Sequence, residues 1–242
     1  MSTAYPHPQP QIRVWDAVPA ARVGAFPTGP GVFEAIGEPR PLRPPAVETQ
    51  RSDRMTTHVE SGWLQTYTGK KFHVMAPTPD EVDILDIAHA LSNQCRYSGH
   101  TQVFYSVAEH AFRVSLEVPP QDALWGLLHD AAEAYVIDLP RHIKQWLRQN
   151  GHRFFDETEE RVMRVVAEKY GLSWPQPESV DKADVLLLTT EARDLMSPLH
   201  PEWHYSEANG YPALAERIAT LSPLAAEREF LRRFRELTQG GA

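Results

Sequence analysis

The chain has 242 residues, enough for one domain with a sizeable core and a tail, and its composition (42% hydrophobic, 23% charged) is that of an ordinary globular protein. A formal net charge of -8 excludes a long nucleic-acid track, which needs net basic surface, but leaves room for a small phosphorylated substrate held by a few local cations. A single cysteine, Cys95, excludes an intramolecular disulfide and a cysteine zinc cage; no stretch reaches the ~20 apolar residues of a membrane span and no signal peptide is evident, so a cytoplasmic location is expected.

Residues 1–58 differ in texture from the rest. Ten of the 21 prolines fall in the first fifty residues, and each removes a backbone donor and fixes φ. We read this segment as a Pro-rich, extended or disordered extension, with Val14, Trp15, Val32 and Phe33 as candidates to dock elsewhere. A second unit is expected over residues 59–242. It opens with "WLQTYTGKKFHVMAP", whose alternation and Thr-Gly turn predict a short β-hairpin. "TPDEVDILDIAHALSNQ" predicts a helix capped by Thr78, with Pro79 at its first position and Glu81 completing a capping box. "QVFYSVAEHAFRVSLEV" carries Phe104, Val107, Ala111 and Val114 at helical spacing, and "PPQDALWGLLHDAAEAY" continues in the same way. Further helices are predicted for "PRHIKQWLRQN" ending at Gly151, "RFFDETEERVMRVVAEKY" ending at Gly171, and "ESVDKADVLLLTTEARDLM" ending before Pro198. "YPALAERIATL" has helical periodicity too, and "PLAAEREFLRRFREL" is the last predicted helix. So many helices with so little strand signal predict an all-α bundle.

Several ionisable residues fall on apolar helical faces, where burial is costly unless something pairs with them. His110 has Val107 at i−3 and Val114 at i+4; by itself it reads as a satisfied core histidine. "LLHDAAEAYVIDLP" is harder to explain as core filler. His129, Asp130 and Glu133 lie among Leu127, Leu128, Ala131 and Ala132, and Glu133, at i+4 from His129 and i+3 from Asp130, projects over the same patch. Asp184 has Val180, Leu187 and Leu188 around it and should be buried, whereas Asp181 has a more polar setting. Two histidines and two aspartates arriving from three helices make an N2O2 set suited to a divalent transition metal, which would offset the desolvation of the carboxylates.

The order His110, His129-Asp130, Asp184 resembles the signature of HD-domain metal-dependent phosphohydrolases. "YSVAEHA", "LLHDAAEAYVIDLP" and "DKAD" look like the 5′-deoxynucleotidase branch and are similar to the related phage-type deoxynucleoside triphosphohydrolases. The resemblance covers roughly residues 80–200. It implies an HD-domain helical bundle with one divalent cation (Co, Mn, Mg, Zn or Fe), room for a second, and an activated water that hydrolyses a phosphate ester. Carried over by position, His110, His129, Asp130 and Asp184 are the metal ligands and Glu133 the general acid or base. Asp138 takes a supporting or sugar-contacting role, the alternative being a plain cap for the helix after Pro140. Arg96 would bind phosphate and Tyr97 would pack near the nucleoside, where the family often has Trp; Lys144 and His142 could add positive charge. His89 and His100 read as structural, with a second ion or substrate contact as the alternative. The implied substrate is a deoxynucleoside 5′-monophosphate; a triphosphate is the alternative, disfavoured by the lack of a Lys/Arg cluster beside "HDAAE". A non-catalytic nucleotide-binding module is the alternative of another class. A homodimer or higher homo-oligomer is implied by the same resemblance.

Overall fold

The computed structural model describes residues 62–200 and 212–239; the Pro-rich extension, with its four docking candidates, lies outside them. Among the described residues the order is β1 (Leu64–Gln65), β2 (Lys71–Phe72), α1 (Ile84–Asn93), α2 (Val107–Glu117), α3 (Ala123–Leu128), α4 (Glu133–Val136), α5 (Arg141–Gln149), α6 (Phe154–Tyr170), α7 (Glu178–Leu195) and α8 (Pro223–Gln239). Among the described residues the protein is therefore mostly helical with one antiparallel hairpin, in which Leu64 pairs with Phe72 and Gln65 with Lys71.

The core joins the inward faces of α1, α2, α3, α6, α7 and α8. Ile87, Leu91, Val107, Ala111, Val114, Leu127, Leu128, Val162, Val166, Leu187 and Phe230 are all fully buried. The hairpin belongs to this core. Phe72 is fully buried and stacks on Tyr135 of α4, with ring centroids 3.7 Å apart and planes 9° apart. The hairpin turn is tied down as well: buried Asp86 of α1 accepts the Thr68 amide at 2.6 Å and the Thr68 hydroxyl at 2.9 Å.

Helices α2 and α3 approach closely at Gly126. A Cβ placed there would lie 3.0 Å from Ser115 Cα and 3.1 Å from Val118 Cγ2. The contact sits three residues before His129, whose ring it indirectly places. Gly126→Ala is expected to cost about 1–3 kcal/mol through overpacking and to lower the thermal midpoint measurably. An unchanged midpoint would mean that α2 retreats freely.

Three expectations are corrected. The helix expected from Thr78 begins at Ile84 instead: Thr78 makes no side-chain cap, and Asp83 caps α1 by accepting the Leu85 amide. Glu81 turns away to bind His73, ring Nδ1 at 2.6 Å and amide at 3.1 Å, so no capping box forms. "YPALAERIATL" is not helical over 212–222. Tertiary hydrogen bonds hold its backbone: the Leu214 carbonyl accepts from Arg193, the Ala219 carbonyl from Arg113, and the Ile218 and Leu221 amides donate to Asp194 and Glu109. Finally, "LLHDAAEAY" is two helices. α3 ends at Leu128, and residues 129–132 form a tight turn in which the Ala131 amide donates to Leu128 and the Glu133 amide to Asp130. These i→i−3 bonds wind the chain more tightly than an α-helix would.

Candidate metal and phosphate site

Each candidate ligand reaches the site from a different piece of this framework. Ser106 caps α2 by accepting the Glu109 amide, and the helix carries His110 one turn in, fully buried. The tight turn after α3 presents His129 and Asp130, and α7 supplies Asp184 from its second turn. Ligand atoms of His110, His129 and Asp184 all lie within 4.8 Å of one another. His110 Nε2 stands 3.3 Å from His129 Nε2 and 3.1 Å from Asp184 Oδ1. Asp130 flanks the group, its Oδ2 3.2 Å from His129 Nε2 and 3.8 Å from His110 Nε2. Asp184 is not buried as expected. Its side chain keeps 29% exposure because it lines a cavity, while Asp181 faces solvent.

The tautomers follow from the partners. His129 Nδ1 lies 2.8 Å from the Gly126 carbonyl, which can only accept, so Nδ1 carries the proton. His110 Nδ1 lies 2.6 Å from Glu191 Oε1, an acceptor of the same kind when ionised. When neutral, both rings therefore turn bare Nε2 lone pairs toward each other across 3.3 Å, with two carboxylates beside them. Such a cluster of acceptors calls for a cation between its members. Burial and Arg96 oppose a proton there, yet Glu191 and Asp184 raise His110 to about 9. What attracts a proton to this point also attracts a divalent ion. Against the cost of burial, His129 leads in holding Asp130 well below the usual carboxylate range, and His110 and Arg96 depress Asp184. Ionised carboxylates and imidazole Nε2 atoms form a donor set that fits a transition metal.

The remaining candidates surround a cavity of about 950 Å³ whose lining includes Arg96, Tyr97, Asp130, Glu133, Asp138, Lys144 and Asp184. Glu133 opens α4 and is nearly buried, with Oε2 lacking any hydrogen-bond partner. Burial first, then Asp130 and Asp138, hold its carboxyl well above the ordinary range, so it retains its proton where a solvated glutamate would have lost it. Asp138 is raised too, chiefly by burial. It does not cap α5: Pro140 occupies that position and no side chain caps the helix. Instead the Asp138 amide donates to Gln94 Oε1, and Gln94 Nε2 donates to the Glu133 carbonyl. Between them Ile137 adopts φ 72°, a left-handed conformation strained for a β-branched residue, which stops α4 and turns Asp138 toward the cavity. Lys144 is held 2.7 Å from Glu159 and 4.0 Å from Glu133.

Arg96 extends its guanidinium along the cluster. NH1 is 3.6 Å from Asp130 and NH2 3.8 Å from Asp184, while Nε is 3.2 Å from Glu191. The Tyr97 hydroxyl also donates to Glu191, at 2.7 Å. Arg141, His142 and Arg148 of α5 line the same cavity, so α5 sets Arg141, Lys144 and Arg148, at three- and four-residue spacing, beside the cavity that Arg96 also lines. The lack of a local Lys/Arg cluster thus carries no weight against a polyphosphate. His100 also lines the cavity, whereas His89 lies elsewhere, stacked on Tyr67 and bound to Glu227 at 3.1 Å.

Glu191 escaped the sequence reading. A signal was available: it lies seven residues after Asp184, and so on the same face of α7, between Leu187 and Leu195 at i−4 and i+4. Glu109, fully buried and paired with Arg113 at 2.7 Å, was missed for a different reason, since it follows an N-cap and reads as an ordinary first-turn acid.

No family model matches the chain. It is similar to "Uncharacterized protein YfdR" of Escherichia coli (strain K12), 38% identical over 178 residues that span 73% of this chain and 96% of the relative. It is also similar to "Uncharacterized protein RCAP_rcc00048" of Rhodobacter capsulatus, 28% identical over 144 residues, or 56% of this chain and 71% of that one.

Proposed function

The chain belongs to the family of the Escherichia coli protein YfdR, and from the chemistry of its site we propose that it is an HD-domain, metal-dependent phosphohydrolase that releases phosphate from deoxynucleoside 5′-monophosphates. One observation carries the reading: two imidazole Nε2 atoms 3.3 Å apart, each with Nδ1 committed to an acceptor, flanked by two aspartates on the wall of a cation-bearing cavity. His110, His129, Asp130 and Asp184 would hold the ion. A divalent cation supplies two things at such a position, a lowered pKa for water and charge stabilisation on a phosphoryl oxygen.

The side chains account for the rest. The edge of Arg96 that faces Asp130 and Asp184 offers two N–H groups to phosphate oxygens. Lys144, drawn to Glu159 and Glu133, adds a second positive charge to the wall. As water oxygen bonds to phosphorus the P–O5′ bond breaks, and the O5′ oxygen needs a proton. Glu133 supplies it from a carboxyl kept neutral by burial. Asp138 and Tyr97 line the cavity where the sugar and base would extend.

A triphosphate substrate is the second reading. Arg96, Arg141, Lys144 and Arg148 among the residues that line the cavity favour it, because added phosphates need added cations. The deciding assay uses metal-analysed protein with every deoxy- and ribonucleoside mono-, di- and triphosphate, each with Mg, Mn, Co and Zn. Orthophosphate from deoxynucleoside monophosphates is the expected product, and inorganic triphosphate would select the second reading. Release of neither from any substrate would defeat both and leave a nucleotide-binding module.

A further inference from the structure

Glu191 is a buried carboxylate to which the reaction above gives no role. It lies on α7 two turns beyond Asp184, with no solvent exposure. Four donors reach it. Oε1 accepts from the Tyr105 hydroxyl at 2.9 Å and lies 2.6 Å from His110 Nδ1. Oε2 accepts from Arg96 Nε at 3.2 Å and the Tyr97 hydroxyl at 2.7 Å. Each carboxylate oxygen has about two lone-pair sites, so all are filled. A saturated carboxylate is no ligand or base. Its effect passes through the groups that it orients.

Two of those groups are the ones on which the proposed chemistry depends. With Nδ1 donating to Glu191, His110 turns Nε2 to His129 and Asp184. With Nε donating to the same carboxylate, Arg96 turns its two terminal nitrogens to Asp130, Asp184 and the cavity. The tyrosines close the arrangement. Tyr105 is fully buried, and Tyr97 sits in an unusual left-handed turn, with Tyr97 at φ 54° and Ser98 at φ 51°. Non-glycine residues adopt that backbone only when their surroundings hold them there. The Tyr97–Glu191 bond is one such restraint, and the Arg96 amide bound to the Tyr105 carbonyl at 2.9 Å is another.

We propose that Glu191 is a positioning residue that couples the two halves of the site, presenting His110 Nε2 to the cation and aiming Arg96 at the phosphate. This rests on the reading of the site as a metal-dependent phosphohydrolase. A carboxylate that only neutralised buried Arg96 would contribute to stability and leave cation affinity alone.

The test measures Mn²⁺ affinity by calorimetry on the full chain, wild type beside Glu191→Gln, Glu191→Asp and Tyr105→Phe. Removing the hydrogen-bond partner of a ligating histidine typically weakens metal affinity by about 10–100-fold, and that loss is expected for both Glu191 variants. Tyr105→Phe, which removes one hydrogen bond to the same carboxylate but leaves His110 its partner, should lower the thermal midpoint with Mn²⁺ affinity retained. In turnover, both Glu191 variants should raise KM as well as lower kcat, because Arg96 loses its anchor. Should neither variant fold, imidazole nitrogen NMR of the Zn²⁺-loaded wild type gives the answer: Nδ1 of His110 protonated and Nε2 bound to metal is expected. Folded variants that bind Mn²⁺ as the wild type does, or coordination through Nδ1, overturn the role of Glu191. A wild type that binds no divalent cation overturns the reading of the site itself, and this proposal with it.

Discussion

Asp130→Ala is expected to abolish divalent-cation binding and phosphate release together, in a protein that still folds. Asp130 Oδ2 lies within 4 Å of His129 Nε2, His110 Nε2 and Arg96 NH1, so no other single carboxylate oxygen touches as much of the cluster. If Asp130 is a direct ligand, as proposed, the loss of metal affinity should exceed the 10–100-fold typical of an outer hydrogen-bond partner. Folding should survive: the side chain is part-exposed at the cavity, and alanine fits the tight turn between α3 and α4, where Ala131 and Ala132 already follow. The measurement is metal content and turnover on the same preparation, with circular dichroism as the control for fold. A metal-free variant that turns over at the wild-type rate would remove the cation from the mechanism.

Glu133→Gln tests a different step. It conserves volume and polarity but carries no transferable proton. Cation affinity should be retained, since Glu133 lies outside the ligand cluster, and kcat should fall by about 10²–10⁴, the range for loss of a positioned proton donor. The pH profile gives the sign. Burial, Asp130 and Asp138 raise the Glu133 carboxyl, so the protonated form persists above the pH at which a solvated glutamate ionises. An acid is lost as pH rises through its pKa; the wild type should therefore show an alkaline fall in kcat that Glu133→Gln lacks. A rate that climbs through that same ionisation would identify Glu133 as a base, and a variant of full activity would leave it no part in proton transfer.

How much of this could be read from the chain depends on which interactions decide each element. The hairpin, α5, α6, α7 and α8 follow from local signals such as alternation with a Thr-Gly turn and Gly171 ending α6 at φ 66°, whereas α2, expected to carry Phe104 in its stripe, begins only at Val107 behind the Ser106 cap and leaves Phe104 outside the helix. His110, His129, Asp130 and Asp184 stood out because each interrupts an apolar stripe, and the fold brings them together. Elsewhere distant partners overrule the local pattern. Glu81 leaves its expected cap for His73, and the periodic 212–222 segment is pulled straight by Arg193, Arg113, Asp194 and Glu109. The break at 129–132 is invisible because Leu127, Leu128, Ala131 and Ala132 keep a helical rhythm through a turn wound one residue tighter. Glu191 is legible only once Asp184 is known to face inward.

The stack of Phe72 on Tyr135 bears on where the working unit starts. The residues that carry the resemblance to known enzymes begin near position 80, which invites trimming to the helices alone. A version cut there would lose Phe72 and uncover the ring of Tyr135, two residues from Glu133 on a helix only four residues long. It would also strip Thr68 from buried Asp86. The helical unit therefore extends upstream of its recognisable motifs, to Leu64 at the first strand, and expression designs or domain grafts should carry the hairpin as part of the fold that supports the candidate site.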